Sequence, residues 1–331
     1  MLDDRISKRM RHLRKWGRKQ GISCFRVYER DIPEYPIILD WYGDVDPDNL
    51  HCSGDAVVWF QDRKKDETFE QSLAYRREVE RQILSSLGIP GSRLHIKHRG
   101  RQRDEKGGRE QYERLDSKKH EKVVDEYGSK FLINLSDYLD VGLFLDHRPT
   151  RYSIRRRSEG KRVLNLFAYT GAFSVHARAG GAAVTTTVDM SKTYLQWYEK
   201  NLSLNSFSLD LNHTAIHADC LQWLEENTEA HAKYDVVICD PPTFSNSKRM
   251  KAESFSIQRD HPELVQRLAK FVAPGGEIFF STNARGFTLE SAAVPEGFGA
   301  REISNRSIPE DFRNRSIHRC WRFAEGWTPK A

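Results

Sequence analysis

Long apolar runs are missing from this chain of 331 residues: no stretch of about 18 consecutive apolar residues occurs, so no membrane-spanning helix is expected, and no signal-peptide pattern opens the chain. Cysteine is scarce. The five present, Cys24, Cys52, Cys220, Cys239 and Cys320, lie far apart and form no Cys-x-x-Cys pair, which suggests neither a zinc knuckle nor a dense disulfide framework and fits a reducing cytoplasm. No metal-ligand set is read from the sequence, and neither an internal repeat nor a low-complexity tract interrupts it. Charge of one sign is only mildly in excess: 53 Lys and Arg against 47 Asp and Glu give a net charge of +6, a weak bias toward a polyanionic partner.

What is there reads as two domains with a basic lead, since single cores stop growing above roughly 250 residues. Residues 1–22 carry Arg5, Lys8, Arg9, Arg11, Arg14, Lys15, Arg18 and Lys19, with Ile6, Met10 and Leu13 as a thin apolar seam at helical spacing. A basic helix is expected there, with Arg9, Arg14 and Lys15 as candidate RNA contacts. Residues 23–135 read as a small α+β domain. Strands are expected at Ser23 to Tyr28, Pro36 to Tyr42, Ala56 to Phe60, Arg93 to Lys97, His120 to Glu126 and Lys130 to Asn134. Between them Phe69, Leu73, Val79, Ile83 and Leu87 share one arc of a helical wheel closed by Gly88-Ile89-Pro90-Gly91. The basic, glycine-containing stretch His98 to Arg109 reads as an exposed loop suited to phosphate, with Arg99, Arg101 and Arg103 as candidate contacts. Residues 136–160 form a connecting turn. From 161 to 331 short apolar runs alternate with helical segments, which is the texture of a doubly wound, mostly parallel sheet with an antiparallel last strand. Its strands are placed at Val163 to Phe167, Ala183 to Val188, Asn212 to His217, Tyr234 to Cys239, Glu277 to Ser281, Ala300 to Ser304 and His318 to Phe323.

In such a sheet ligands bind beyond the carboxyl ends of the strands, so the residues after each strand carry the information. The first strand runs into a glycine turn that includes Asn165, Phe167, Ala168, Tyr169, Thr170 and Gly171; the glycine lets a ligand approach the backbone, and the following helix offers free N–H groups. Asp189, with Met190 and Ser191 behind it, follows the second strand and suits the two hydroxyls of a ribose. Asp219, followed by Cys220, is placed to take an adenine amino group. The fourth strand ends in Asp240-Pro241-Pro242-Thr243-Phe244, whose two prolines fix φ and make a short rigid platform. A single Asp after a strand is more often a helix cap than a ligand; the register of three acids behind a glycine turn carries the reading. A nicotinamide dehydrogenase also uses an acid after its second strand, but Gly-x-Gly-x-x-Gly is missing after the first strand here.

The segments Leu139 to Arg148 (LDVGLFLDHR), Leu164 to Gly171 (LNLFAYTG), Thr185 to Ser191 (TTTVDMS) and Asp240 to Met250 (DPPTFSNSKRM) closely resemble the carboxyl-terminal, guanine-N7 methyltransferase half of the bifunctional bacterial large-subunit rRNA methyltransferases. The resemblance runs from the basic helix through Asp31-Ile-Pro-Glu-Tyr35 to Phe312-Arg-Asn314. It implies a class I fold that uses S-adenosylmethionine and releases S-adenosylhomocysteine, a small amino-terminal domain that helps grip RNA, and 23S rRNA or a large-subunit assembly intermediate as substrate. No membrane partner is implied. The family's guanine-N2 half is not in this sequence, so a stand-alone enzyme or a piece of a longer one is expected, with a separate guanine-N2 methyltransferase as candidate partner. Ala168 stands where a serine is common, and Asp44 to Asp55 reads as an insertion.

Guanine N7 offers an in-plane lone pair, so methyl transfer to it needs orientation rather than a general base. Asp240 with the Pro-Pro-Thr backbone is expected to hold the base by its polar edge, with Phe244 or Tyr169 on a ring face of a flipped nucleotide. Phe144, Asp146 and Arg148 are expected to close over the cofactor, Arg148 pairing with its carboxylate, and Lys248 and Arg249 to contact phosphate. Cytosine-C5 transfer would need a thiolate after the fifth strand, where the chain instead reads Ser281-Thr-Asn283-Ala-Arg285-Gly-Phe287. Guanine-N2 transfer and a non-catalytic RNA-binding module of the same fold remain the other readings.

Overall fold

A computed structural model describes residues 1–44, 53–61, 68–99 (the side chain of Arg99 excepted), 120–228, 233–245 and 254–327. The chain divides into two compact units, Met1–Leu145 with Glu310–Arg313, and Asp146–Pro309 with Asn314–Ala331.

The first unit opens with α1 (Leu2–Gln20), whose Leu2, Ile6, Met10, Leu13 and Gly17 recur every three or four residues and bury one stripe; Gly21, at φ 66°, ends the helix in the left-handed conformation. Strands β1 (Cys24–Glu29), β2 (Ile37–Gly43) and β3 (Gly54–Gln61) pair antiparallel in sequence. The helix α2 (Phe69–Leu87) starts at a capping box in which Thr68 and Gln71 satisfy each other's backbone N–H, and it returns the chain to β4 (Leu94–Arg99), parallel to β3. The sheet order is β1-β2-β3-β4, and apolar residues of α1 and α2 join Phe25, Leu39, Trp41 and Val58 in one core. A hairpin of β5 (Glu121–Glu126) and β6 (Ser129–Asn134) turns through Tyr127 and Gly128, both left-handed, as a two-residue primed turn requires. Late in the chain, Asp311 accepts the Arg26 N–H at 2.8 Å, and Phe312 lies 4.2 Å from the Arg26 guanidinium. That guanidinium also bridges Glu29 and the buried Asp40.

The second unit runs α3 (Arg148–Arg155), β7 (Arg162–Leu166), α4 (Ala172–Ala179), β8 (Val184–Asp189), α5 (Lys192–Leu204), β9 (His213–His217), α6 (Cys220–Glu226) and β10 (Tyr234–Cys239). A two-residue ribbon, β11 (Phe244–Ser245) with β12 (Phe255–Ser256), precedes α7 (Ile257–Ala269) and the long β13 (Val272–Thr282). The chain finishes with β14 (Phe298–Glu302), α8 (Ser304–Ser307) and β15 (Arg319–Glu325). The seven-stranded order is β14-β15-β13-β10-β7-β8-β9, with β15 antiparallel to both neighbours. β7, β8 and β9 are laid outward one way and β10 and β13 the other. The switch of direction falls between β7 and β10, which is where an open α/β sheet leaves its crevice. Leu164, Leu166, Val237, Cys239, Ile278 and Phe280 fill one face under α6 and α7, while Val163, Val236, Ile238 and Phe279 pack with Ile154, Phe173 and Ala177 on the other. Central strands buried on both faces explain the continuous apolar runs of the sequence.

Candidate functional site

The exit of β7 is the most constrained piece of backbone in the second unit. Phe167, Tyr169 and Gly171 stand at φ 55°, 53° and 70°, so left-handed residues alternate over five positions. The N–H groups of this turn are taken up within the protein, Gly171 N–H by Ala168 O at 2.9 Å, so what is left for a ligand is the first turn of α4. For Phe and Tyr the conformation costs of order 1–3 kcal/mol each, and it persists because neighbours over-determine it. Phe167 N–H donates to Cys220 Sγ at 3.1 Å, Ala168 N–H to Val188 O at 3.2 Å, and Tyr169 N–H to Asp189 Oδ2 at 2.8 Å, while Asn201 Nδ2 holds Thr170 O at 3.0 Å. Gly171 is a glycine for two reasons: its φ, and a Cβ there would lie 2.1 Å from the Tyr198 ring. The loop is thus braced from β8, α5 and α6 at once.

Asp189, at the end of β8, spans two loops, since its other oxygen accepts Ser191 N–H at 2.8 Å. Burial pushes its carboxyl up to about 6 in spite of those two donors. Ser191 in turn caps α5, and Met190 between them is exposed. Tyr169 packs edge-on to Tyr194 at 4.5 Å. Asp219 caps α6 with one oxygen, accepting Leu221 N–H at 2.9 Å and Gln222 N–H at 3.1 Å, and its Oδ2 makes no hydrogen bond among the described residues. Both expectations for this acid, cap and ligand, are therefore open to a single carboxylate. Asn165 and Cys220 lie beneath the rim: the Asn165 amide donates to Ser174 Oγ at 2.9 Å inside a network that Thr187 completes, and Cys220 is buried against Val188 O.

Asp240 leaves β10 with Oδ1 accepting from Ser281 Oγ of β13 at 2.6 Å and Oδ2 3.5 Å from His147 Nε2. His147 is buried, and burial holds its pKa below the ordinary value, so the ring is neutral at pH 7. It stacks on His318 at 4.2 Å, and His318 is fixed at both nitrogens, by Asp146 Oδ2 at 2.8 Å and Ser307 Oγ at 2.8 Å. Pro241 is buried, whereas Thr243 and Phe244 face solvent; the Thr243 hydroxyl donates to Asn283 Oδ1 at 2.7 Å, and Phe244 is 55% exposed.

Ser281, Asn283, His147 and His318 were not singled out as site residues by the sequence reading. The only signals for them were the His inside Leu-Asp-His-Arg and the polar run after the fifth strand. Asp146 sits in the histidine pair, Arg148 is fully buried at the start of α3, and Phe144 belongs to the first unit. Of the basic residues, Arg9 donates to Asp311 O at 3.1 Å and Arg14 lies 5.2 Å from the Trp41 ring, whereas Lys15 is exposed in a row with Lys8, Arg11 and Arg18. Arg99 ends β4, and Arg101, Arg103, Lys248 and Arg249 lie outside the described residues.

Residues 56–301 match the model of the S-adenosylmethionine-dependent methyltransferase family. The chain belongs to that family. S-adenosylmethionine is accordingly the cofactor of this methyltransferase. It is 45% identical over 324 residues to the "Ribosomal RNA large subunit methyltransferase K/L" of Hahella chejuensis, covering 97% of its own length and 42% of that relative's. The methyltransferase thus spans less than half of the curated relative it matches. Among solved structures it resembles a candidate methyltransferase complexed with SAH (TM-score 0.72, 21% identity, 98% of this chain and 81% of that one). It also resembles the SAM-dependent methyltransferase from Agrobacterium tumefaciens (TM-score 0.57, 16% identity, 87% of each chain). Both likenesses are of fold.

Proposed function

We propose that the methyltransferase transfers a methyl group from S-adenosylmethionine to N7 of a guanine in 23S rRNA. The observation that carries the reading is the rim itself: a strained, braced turn at the β7 exit, a buried carboxylate at about 6 on Asp189, and Asp240 at the end of β10 followed by an exposed phenylalanine. The rRNA substrate is supported by the 45% identity to the large-subunit enzyme of Hahella chejuensis. Asp189 retains lone pairs for the two hydroxyls of a ribose, Asp219 Oδ2 suits an adenine amino group, and the N–H groups of the first turn of α4 suit a carboxylate. Arg148 is a second carboxylate partner in this reading.

The bound cofactor supplies a methyl group on a sulfonium, which leaves as a neutral thioether. The residues of the chain do the rest. Asp240 accepts from the N1–H and N2–H edge of guanine, which leaves N7 pointing away from the carboxylate; Phe244 covers a ring face; the Pro-Pro segment fixes the distance between them. No proton has to be removed from N7, so His147, 3.5 Å from Asp240 Oδ2, is left with orienting that carboxylate. As methyl arrives, the purine becomes cationic, and the Asp240 carboxylate at its far edge stabilises that charge. The exposed row Lys8, Arg11, Lys15 and Arg18 on α1 offers one cation per helical turn to an RNA backbone.

A C5 reaction on cytosine fits less well. Cys24, Cys220, Cys239 and Cys320 are all buried, and burial pushes the thiols of the last three above their ordinary value, the opposite of what a nucleophile needs. Nucleoside mass spectrometry of 23S rRNA treated with the enzyme and labelled S-adenosylmethionine tests the proposal. Labelled 7-methylguanosine is expected, and Asp240→Ala should lower its rate by at least about 100-fold. Label in N2-methylguanosine or 5-methylcytidine overturns the assignment of the atom.

A further inference from the structure

Away from the rim, the first unit brings three potential ligands to one point. Asp55 of β3 and His95 of β4 lie on adjacent strands, and His120 stands immediately before β5. His95 Nε2 is 3.0 Å from Asp55 Oδ1, and His120 Nε2 is 3.8 Å from the same oxygen. We propose that Asp55, His95 and His120 form a binding site for a divalent transition-metal ion of the zinc class.

The spacing supports this on simple geometry. Bonds of about 2.1 Å at tetrahedral angles put neighbouring ligand atoms roughly 3.4 Å apart. The two observed separations straddle that value, so an ion is accommodated by shifts of a few tenths of an ångström. The imidazole planes cross at 75° with centroids 4.5 Å apart, an arrangement in which both in-plane lone pairs can meet at a common centre. The histidine pair beside Asp240 has the opposite geometry. His147 and His318 are stacked within 12° of parallel, so their lone pairs run side by side, and both nitrogens of His318 are already engaged. That pair forms a hydrogen-bonded support, not a metal site.

The surroundings of Asp55 also suit a ligand. Its second oxygen accepts Lys122 Nζ at 2.8 Å, and Lys122 is held in turn by Asp44, which Ser53 and Arg93 fix. A carboxylate gripped on one side presents the other in a set direction, as outer partners of metal ligands do. The His120 side chain is 48% exposed, which leaves an open approach and a fourth position for water. Asp44 and Asp55 are offset by Lys122 and Arg93, so the two imidazoles and one shared carboxylate bind without surplus negative charge. Two imidazoles with one carboxylate favour Zn²⁺, Co²⁺ or Ni²⁺ over Mg²⁺ or Ca²⁺. Because His95 and His120 come from the two sides of residues 96–119, a bound ion ties β4 to the start of β5. It should therefore raise the thermal midpoint.

Titration of the full chain with Co²⁺, followed by visible ligand-field absorption, with Zn²⁺ displacement and thermal melts alongside, tests the site. One equivalent, intense tetrahedral bands and a raised midpoint are expected. His95→Ala and His120→Ala should each weaken binding by about tenfold or more, while His12→Ala, at an exposed histidine on α1, leaves it unchanged. His120→Ala alters an exposed side chain, so it remains decisive where His95→Ala fails to fold. Absence of one-equivalent binding, or His120→Ala binding as tightly as the parent, overturns the proposal, and neither result bears on methyl transfer.

Discussion

Asp189→Asn is expected to separate two properties of one carboxylate. Burial holds Asp189 at about 6 rather than 3.8, although Tyr169 and Ser191 each donate a backbone N–H at 2.8 Å. At 1.36 kcal/mol per pH unit, ionisation in the chain without cofactor carries a penalty of roughly 3 kcal/mol. The folded value lies above the unfolded one, so the native state holds the proton more tightly between about pH 4 and 6. The group's favourable contribution is present below that window and lost as pH rises through it, and asparagine removes the slope. Cofactor binding should run the other way, because the ionised carboxylate is the better acceptor for ribose hydroxyls. Hydrogen bonds to a charged acceptor contribute about 1.5–3 kcal/mol, so losing one raises Kd on the order of 10- to 100-fold. Calorimetric titration with S-adenosylmethionine between about pH 5 and 8, with melts of the same cofactor-free samples, reads both effects. The parent should bind more weakly below about pH 6, and Asp189→Asn weakly at every pH. Binding by Asp189→Asn at parental affinity, or parental binding that tightens toward acid, refutes the assignment of Asp189 to the cofactor.

Protonation of His147 at low pH would set an imidazolium beside Asp240, with Asp146, His318 and Arg151 also facing the ring, and draw the carboxylate away from substrate. Single-turnover methylation should therefore fall at pH values below the ordinary histidine range, and His147→Gln should keep the neutral-pH rate while losing that acid limb. Phe244→Ala should reduce kcat/KM for RNA by about 10-fold or more through lost stacking, with the Kd for S-adenosylmethionine unchanged. Gly171→Ala must place a Cβ against Tyr198 at φ +70°, so a loss of roughly 2–5 kcal/mol in chemical denaturation is expected. Lys15→Ala with Arg18→Ala should reduce the slope of log affinity for RNA against log salt by about 1.4–1.8 if both contact phosphate.

Most of the architecture was legible because its signals are local. The apolar run of β10 and the β-branched run of β8 declare strands buried on both faces, and the Thr68 to Gln71 box and Gly88 bracket α2. The positions of Asp189, Asp219 and Asp240 follow from counting past strand ends. What stayed hidden depends on contacts between residues far apart in sequence. Glu310–Arg313 carries no composition that marks it as packing with Arg26, and Ser281 reaches Asp240 only because β10 and β13 are neighbours. Arg9 and Arg14 looked as available for RNA as Lys15 does. Only folding shows that the first is drawn to Asp311 and the second to Trp41.

The acids of the rim also show why cap and ligand are poor alternatives to weigh against each other. A carboxylate has two oxygens and about four lone-pair directions, so a structural bond on one side leaves the other free. Asp219 caps α6 through Oδ1 alone, and Asp240 meets Ser281 through Oδ1 while Oδ2 lies 3.5 Å from His147 Nε2. Asp189 goes further, using one bond per oxygen to hold the strained β7 exit and the start of α5 together. Each structural bond fixes the direction of the remaining lone pairs before any ligand arrives, which lowers the ordering cost of binding. The bracing that makes the left-handed Phe167 and Tyr169 tolerable is therefore also what aims the site. A substitution that removes either role should damage the other: Cys220→Ala, which touches no ligand in the proposed arrangement but frees the Phe167 N–H, should weaken S-adenosylmethionine binding by a factor of several.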